Sequence, residues 1–123
     1  ARFTELAGDY REVPLPENHF DLAILANELL LYDDRQCEAL LQRAVQAIKP
    51  TGQVVILETV CCHPDADLAF ALRELELAIH WPPGRFRSPE ELEALAQAAG
   101  LNTLQYQGLQ APPQLTGLLM AGH

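Results

Sequence analysis

Basic residues are scarce in this chain: 8 Lys and Arg stand against 17 Asp and Glu, a formal net charge of −9. A surface of that sign repels phosphate backbones and anionic bilayers. Nucleic acid and membrane are therefore not expected partners, which leaves small molecules and proteins. Long apolar runs are missing as well, since none approaches the ~20 residues that a membrane span needs. No signal peptide is visible. Cysteine is sparse and awkwardly placed. Cys37, Cys61 and Cys62 are odd in number with two adjacent, which is no disulfide framework. Reduced thiols in a cytoplasmic protein are the expected state. The shortage of clustered glycine is the most telling. Gly84, Gly100, Gly108, Gly117 and Gly122 fall singly and form no loop able to cradle a phosphate or a nucleoside.

What is present suits one domain over residues 1–123. Apolar residues make up 49% of the chain, and a compact chain of this size buries roughly two-thirds of its unfolded surface. Residues 2–7 read as a short strand ended by Gly8-Asp9. A loop with Pro14 and Pro16 follows. Phe20 to Ala26 is a nearly continuous apolar run, the pattern of a strand covered on both faces in a parallel sheet. Asp33-Asp34 caps a helix whose Cys37, Leu40, Leu41, Ala44 and Ile48 recur at helical spacing, with Lys49 in its last turn. Pro50-Thr51-Gly52 stops it, and Gln53 to Glu58 is the next strand. Pro64-Asp65 opens a second helix, whose stripe of Leu68, Leu72, Leu75 and Ile79 reads as core. Ser88, Pro89 and Glu91 make a capping box for a third helix, and Gly100 closes it. Residues 103–109 and 115–121 are two last strands. Their link is too short for a helical crossover, so they should pair antiparallel. The order of elements predicts an α/β fold.

Cys61-Cys62-His63, with His80 downstream, is the one group suggestive of a metal, but its spacing fits no zinc pattern and no metal is expected. Asn27-Glu28 close the Phe20 strand at the end where open α/β sheets hold ligands. They read either as ligand contacts or as a strand end followed by a solvated residue. Trp81, beside Pro82 and Pro83, reads either as the wall of a pocket or as a plug in the core.

The ordered set Gly8-Asp9-Tyr10, Phe20-Asp21-Leu22-Ala23-Ile24-Leu25, the stretch from Ala47-Ile48-Lys49-Pro50 to Leu57-Glu58, and Phe86-Arg87-Ser88-Pro89-Glu90-Glu91-Leu92 carries a resemblance. In it the chain resembles the class I S-adenosylmethionine-dependent methyltransferases, most nearly the small-molecule O-methyltransferases of the caffeate and hydroxyindole kind. The likeness spans almost the whole chain but only the second half of that fold. The chain opens at Ala1 inside what would be the third strand, with the first strands and the Gly-rich donor loop lacking. The resemblance implies a partial Rossmann-like sheet, mostly parallel with an antiparallel last strand, flanked by helices. It implies S-adenosylmethionine as cofactor, with Asp9 at the adenine, Tyr10 offering a ring face and Asn27 near the donor. It places Glu28, His80 and Trp81 toward a small-molecule acceptor. Asp9 also reads simply as the turn residue that follows Gly8.

The same resemblance makes Glu58 the catalytic candidate, as the first of two acids that support a general-base His. The departures from the pattern are specific. Leu30 occupies the His position, Leu31 the Asp that follows it, Phe86 the second acid and Ala26 a Lys near the donor. A leucine takes no proton, and general-base help is worth ~10²–10⁴-fold. Orientation of an already reactive sulfonium would remain. The expected activity is methyl transfer to a small-molecule hydroxyl as part of a longer chain. The alternative is an inactive methyltransferase-like module for binding or dimerisation. Lost first strands would leave a sheet edge to be covered by a second copy or by an N-terminal half.

Overall fold

Period-2 burial along the apolar runs and helical periodicity between them sort the chain into two layers. The computed structural model describes residues 2–60, 68–111 and 114–123. Among them lie four strands and three α-helices: β1 (Phe20–Ala26), α1 (Asp34–Ala47), β2 (Ile48–Thr59), α2 (Leu68–His80), α3 (Pro89–Ala98), β3 (Thr103–Ala111) and β4 (Gln114–Gly122). A single 3-10 turn, Leu29–Leu31, joins β1 to α1.

The sheet order is β1-β2-β4-β3. β1 runs parallel to β2, with Ala23 beside Val54 and Leu25 beside Ile56. β4 is antiparallel to both neighbours. It sets Ala121 between Val54 and Leu104, and Leu119 between Ile56 and Tyr106. Two apolar rows thus cross the sheet on one face. Cys37, Leu40, Leu41 and Ala44 of α1 and Leu92, Leu95 and Ala96 of α3 pack against them as one core. Each fully buried leucine there contributes about 2 kcal/mol. No helix among the described residues is long and apolar enough to cross a membrane.

The caps read from the sequence are in place. Asp33 Oδ1 accepts from Gln36 N at 2.8 Å, and Gln36 returns the bond to Asp33 N. Ser88 and Glu91 exchange the same pair of bonds at 3.2 Å. Gly100 ends α3 at φ 99°, the left-handed region where a Cβ is costly. The β3–β4 hairpin is antiparallel as its short link requires.

Four expectations change. Residues 2–7 belong to no strand: β1, at the edge of the sheet, pairs only with β2, and residues 2–7 join none of the four strands. β1 is covered on one face only: the helices pack on Ala23 and Leu25, while Phe20, Leu22 and Ile24 are exposed. α1 stops at Ala47, and Ile48 already pairs with Phe20 as the first residue of β2. The register shift before the Leu22–Gln53 pair takes up residues 49–52, and Lys49 pairs with Asp21 at 2.8 Å instead of facing a helix end. The stripe of α2 faces outward, with Leu68 74% and Ile79 63% exposed. The helix docks instead through Leu77 and Phe70, whose ring lies 5.2 Å from Phe86. The Pro64-Asp65 start and Cys61-Cys62-His63 lie outside the described residues.

Candidate active site

β1 ends in a reversal. Asn27 adopts φ 53°, a left-handed conformation that Asn tolerates, while its N–H still donates to the Leu57 carbonyl at 2.7 Å. The 3-10 turn that follows is gripped from two sides. From the end of β2, Glu58 Oε1 accepts from Leu29 N at 2.9 Å, with the backbone N–H groups of Leu30 and Glu28 close enough to favour its charge. From the segment before α3, Arg87 Nη1 donates to the Leu29 carbonyl at 2.8 Å and Nη2 to the Tyr32 carbonyl at 2.7 Å. Its Nε reaches Asp34 Oδ1 at 3.0 Å. Arg85 N takes the Leu30 carbonyl at 2.8 Å, and Cys37 Sγ donates to Leu29 O. Every polar group of the turn so named has a partner, which holds its side chains in one arrangement.

Burial pushes the Glu58 carboxyl up to about 7, against the backbone donors and Arg87 that favour its charge. Burial also lifts the Cys37 thiol, to about 11. Burial opposes ionisation of Asp34 too, but Arg87 and Arg85 outweigh it and hold that carboxyl below its ordinary range.

A cleft of about 320 Å³ opens above this turn, at the carboxyl ends of β1 and β2. Asn27, Leu30 and Leu31 form one wall and Thr59, Phe86 and Trp81 another. α2 supplies Arg73, Glu76, Leu77 and His80, which fall at i, i+3, i+4 and i+7 and so share one helix face. The outward stripe of Leu68, Leu72, Leu75 and Ile79 occupies the other face.

The residues singled out from the sequence separate into three places. Asn27, His80 and Trp81 line the cleft together. Tyr10 and Glu28 meet beside it: Tyr10 Oη donates to Glu28 Oε2 at 2.8 Å and also meets the Tyr32 hydroxyl, and the Arg11 guanidinium lies 5.5 Å over the Tyr32 ring. Burial, then the bonds to Tyr32 and Glu28, raise the Tyr10 phenol above its ordinary value. Asp9 stands apart, in a turn where its carbonyl accepts from Glu12 N and Val13 N. Its carboxylate accepts from Arg11 N, Nε and Nη2 at 2.8 to 3.1 Å, and this pairing lowers its pKa. Glu58 is 2% exposed and lies beneath the turn, not on the wall of the cleft.

Two groups of residues were missed by the sequence reading. Arg73 and Glu76 carried a legible signal, since their spacing to His80 puts all three on one face of a helix. Arg87 carried none, because its carbonyl partners lie more than fifty positions away in the chain. Among the described residues no three His, Cys, Asp or Glu gather as a metal site.

A cleft at the carboxyl ends of parallel strands is the ligand position of doubly wound α/β folds, and the comparisons agree on which one. Residues 1–102 match the profile of the O-methyltransferase domain. Acetylserotonin O-methyltransferase of Mus musculus is 33% identical over 111 residues, which cover 87% of this chain and 27% of that protein. Demethylspheroidene O-methyltransferase of Rhodobacter capsulatus is 31% identical over 97 residues, 76% of this chain and 23% of that protein. The crystal structure of human N-acetylserotonin methyltransferase in complex with SAM superposes with a TM-score of 0.79 at 28% identity, over 96% of this chain and 33% of that one. The chain therefore spans about a quarter of the length of the relatives it matches. With the motif order, the sheet and the profile match all pointing one way, the chain belongs to the class I O-methyltransferase domain family.

Proposed function

We propose that the chain supplies the acceptor wall, and one side of the donor wall, of a centre that transfers a methyl group from S-adenosylmethionine to the hydroxyl of a small molecule. The observation that carries this reading is the cleft itself: a concave space at the strand ends where Asn27, His80 and Trp81 converge. Family membership and the SAM in the human structure support it.

The chain's residues fit one side of a donor site. Asn27 presents an amide at the end of β1. Asp9 is kept ionised by Arg11 and retains lone pairs for an exocyclic amine. Tyr10 offers a ring face whose hydroxyl is fixed by Glu28. The Gly-rich cradle is not among these 123 residues, so it must come from elsewhere. When bound, S-adenosylmethionine supplies an electrophilic methyl on a sulfonium. Leu30, Leu31 and Phe86 line the cleft and accept no proton, so they contribute through proximity and orientation. His80 is the cleft residue suited to hold the proton of the acceptor hydroxyl, because a ring nitrogen of a neutral imidazole is a proton acceptor. Trp81 gives an aromatic acceptor a surface, and Glu28 forms the rim with Tyr10. Glu58 is a positioning residue that holds Leu30 and Leu31 in place.

Titration calorimetry with S-adenosylhomocysteine on the complete gene product tests this. Asn27→Ala should weaken binding about tenfold. No affinity in the complete product contradicts the reading. A second reading, a non-catalytic module that associates with another chain, draws on Leu30 at the base position and on the exposed stripe of Leu68, Leu72, Leu75 and Ile79.

A further inference from the structure

We propose that Arg73 holds an anionic group of the ligand, so that the acceptor is a hydroxylated small molecule that also bears a carboxylate. The inference rests on the methyl-transfer reading only in calling the ligand an acceptor.

Arg73 projects from the cleft-facing side of α2 and is half-buried. Among the described residues its guanidinium has no hydrogen bond and no ion pair. Five donors partly removed from water and left unused carry a desolvation cost that a bound anion would offset. Four of the other arginines are engaged with neighbours of their own, and none of the four lines this cleft. Arg11 is taken by Asp9, Arg43 by the Val13 carbonyl, Arg85 by Asp34 and Glu91, and Arg87 by the turn and Asp34. Among the described residues Arg73 is the one arginine or lysine that lines the cleft.

The surroundings narrow the anion. A planar guanidinium matches a carboxylate through two parallel bonds. Glu76 lies on the same face of α2 and lines the same space. Its negative charge disfavours a phosphate dianion, which would need more than one cation, and leaves a monoanion as the fit. Leu30, Leu31, Leu77, Trp81 and Phe86 form an apolar surround for an aromatic body. Asn27 and His80 are the polar groups left for a hydroxyl. With a net charge of −9, the surface repels anions in general. One inward guanidinium therefore selects a ligand rather than attracting all anions.

The test is titration calorimetry on the complete gene product with no methyl donor present, comparing 4-hydroxyphenylacetate with 4-hydroxyphenylacetamide. The two differ in charge and hardly in size. The acid should bind about tenfold tighter than the amide. Arg73→Gln should abolish that preference, and Arg73→Lys should keep part of it. Affinity for S-adenosylhomocysteine, which carries its own carboxylate, should be the same in all three proteins. Equal binding of acid and amide, binding of neither, or a preference that survives Arg73→Gln overturns the proposal. A loss confined to S-adenosylhomocysteine reassigns Arg73 to the donor and overturns it too. Methyl transfer without acid preference refutes only the Arg73 subsite. Acid preference without methyl transfer refutes only the reading beneath it.

Discussion

Glu58 and Arg87 hold Leu29 from opposite sides: the carboxylate accepts its N–H at 2.9 Å, and the guanidinium donates to its carbonyl at 2.8 Å. Both side chains are 2% exposed. They arrive from the end of β2 and the start of α3, so one turn ties three elements together. Leu30 and Leu31, which face the cleft, are carried on that turn.

Arg87→Ala should destabilise the fold by about 3 kcal/mol, because it strips partners from the Leu29 and Tyr32 carbonyls and leaves Glu58 buried without its cation. Urea unfolding of the two proteins measures this. A change below about 0.5 kcal/mol, the level of an ordinary surface substitution, would contradict the clamp.

The raised pKa of Glu58 sets a pH dependence. Its folded value is pushed up to about 7, above the 4.5 of a free glutamate. Between those values the folded state holds a proton that the unfolded state has released. The contribution of Glu58 is therefore fully present below pH 4.5 and is lost as pH rises through about 7. Unfolding free energies of the wild type and of Glu58→Gln, compared from pH 5 to 8, should differ by an amount that changes across this window. A constant difference would rule the coupling out.

Gly84 sits where a side chain has no room. A Cβ there would lie 2.6 Å from the carbonyl oxygens of Leu30 and Trp81, both rigid backbone. Gly84→Ala should cost about 1–3 kcal/mol. It should also weaken ligand binding, since it displaces two walls of the cleft at once. Thermal unfolding paired with calorimetry checks both effects. An alanine variant with native stability and affinity would show that the turn yields easily.

Leu30→His places an imidazole on the cleft wall without touching the clamp beneath it. If methyl transfer to a hydroxyl lacks only a base, the rate should rise, toward the ~10²-fold that general-base help supplies. The gain should follow the ionisation of the imidazole in the pH–rate profile. A variant that folds and binds donor but transfers no faster would mean that the proton is already handled, with His80 the first residue to substitute.

Much of the fold was legible because its signals are local. Asp33, Ser88 and Gly100 act at their own helix ends, and a short link dictates the β3–β4 hairpin whatever surrounds it. The order of motifs carried the family, which the match over residues 1–102 bears out. Asn27, assigned from the sequence to the donor, and His80 and Trp81, assigned to the acceptor, line one cleft in the structure. What stayed hidden depends on distant parts of the chain. Helix periodicity shows that α2 has two faces but not which one docks, and the leucine-rich face is the exposed one. β1 has the composition of a covered strand, yet coverage depends on neighbours outside its own sequence. The acid of Glu58 was tied by resemblance to a histidine that is absent here. Its actual hydrogen-bond partner is the backbone N–H of Leu29, which no side-chain pattern reveals.

The central claim is that the cleft bordered by Asn27, His80 and Trp81 receives a methyl acceptor. The most direct measurement supplies the complete gene product with S-adenosylmethionine labelled in its methyl group and a panel of hydroxylated aromatic acids, and follows the label by mass spectrometry. Label on a hydroxyl oxygen, reduced by Trp81→Ala with donor affinity intact, is the predicted result. Donor bound but label on no acceptor, or on carbon or nitrogen alone, would contradict it.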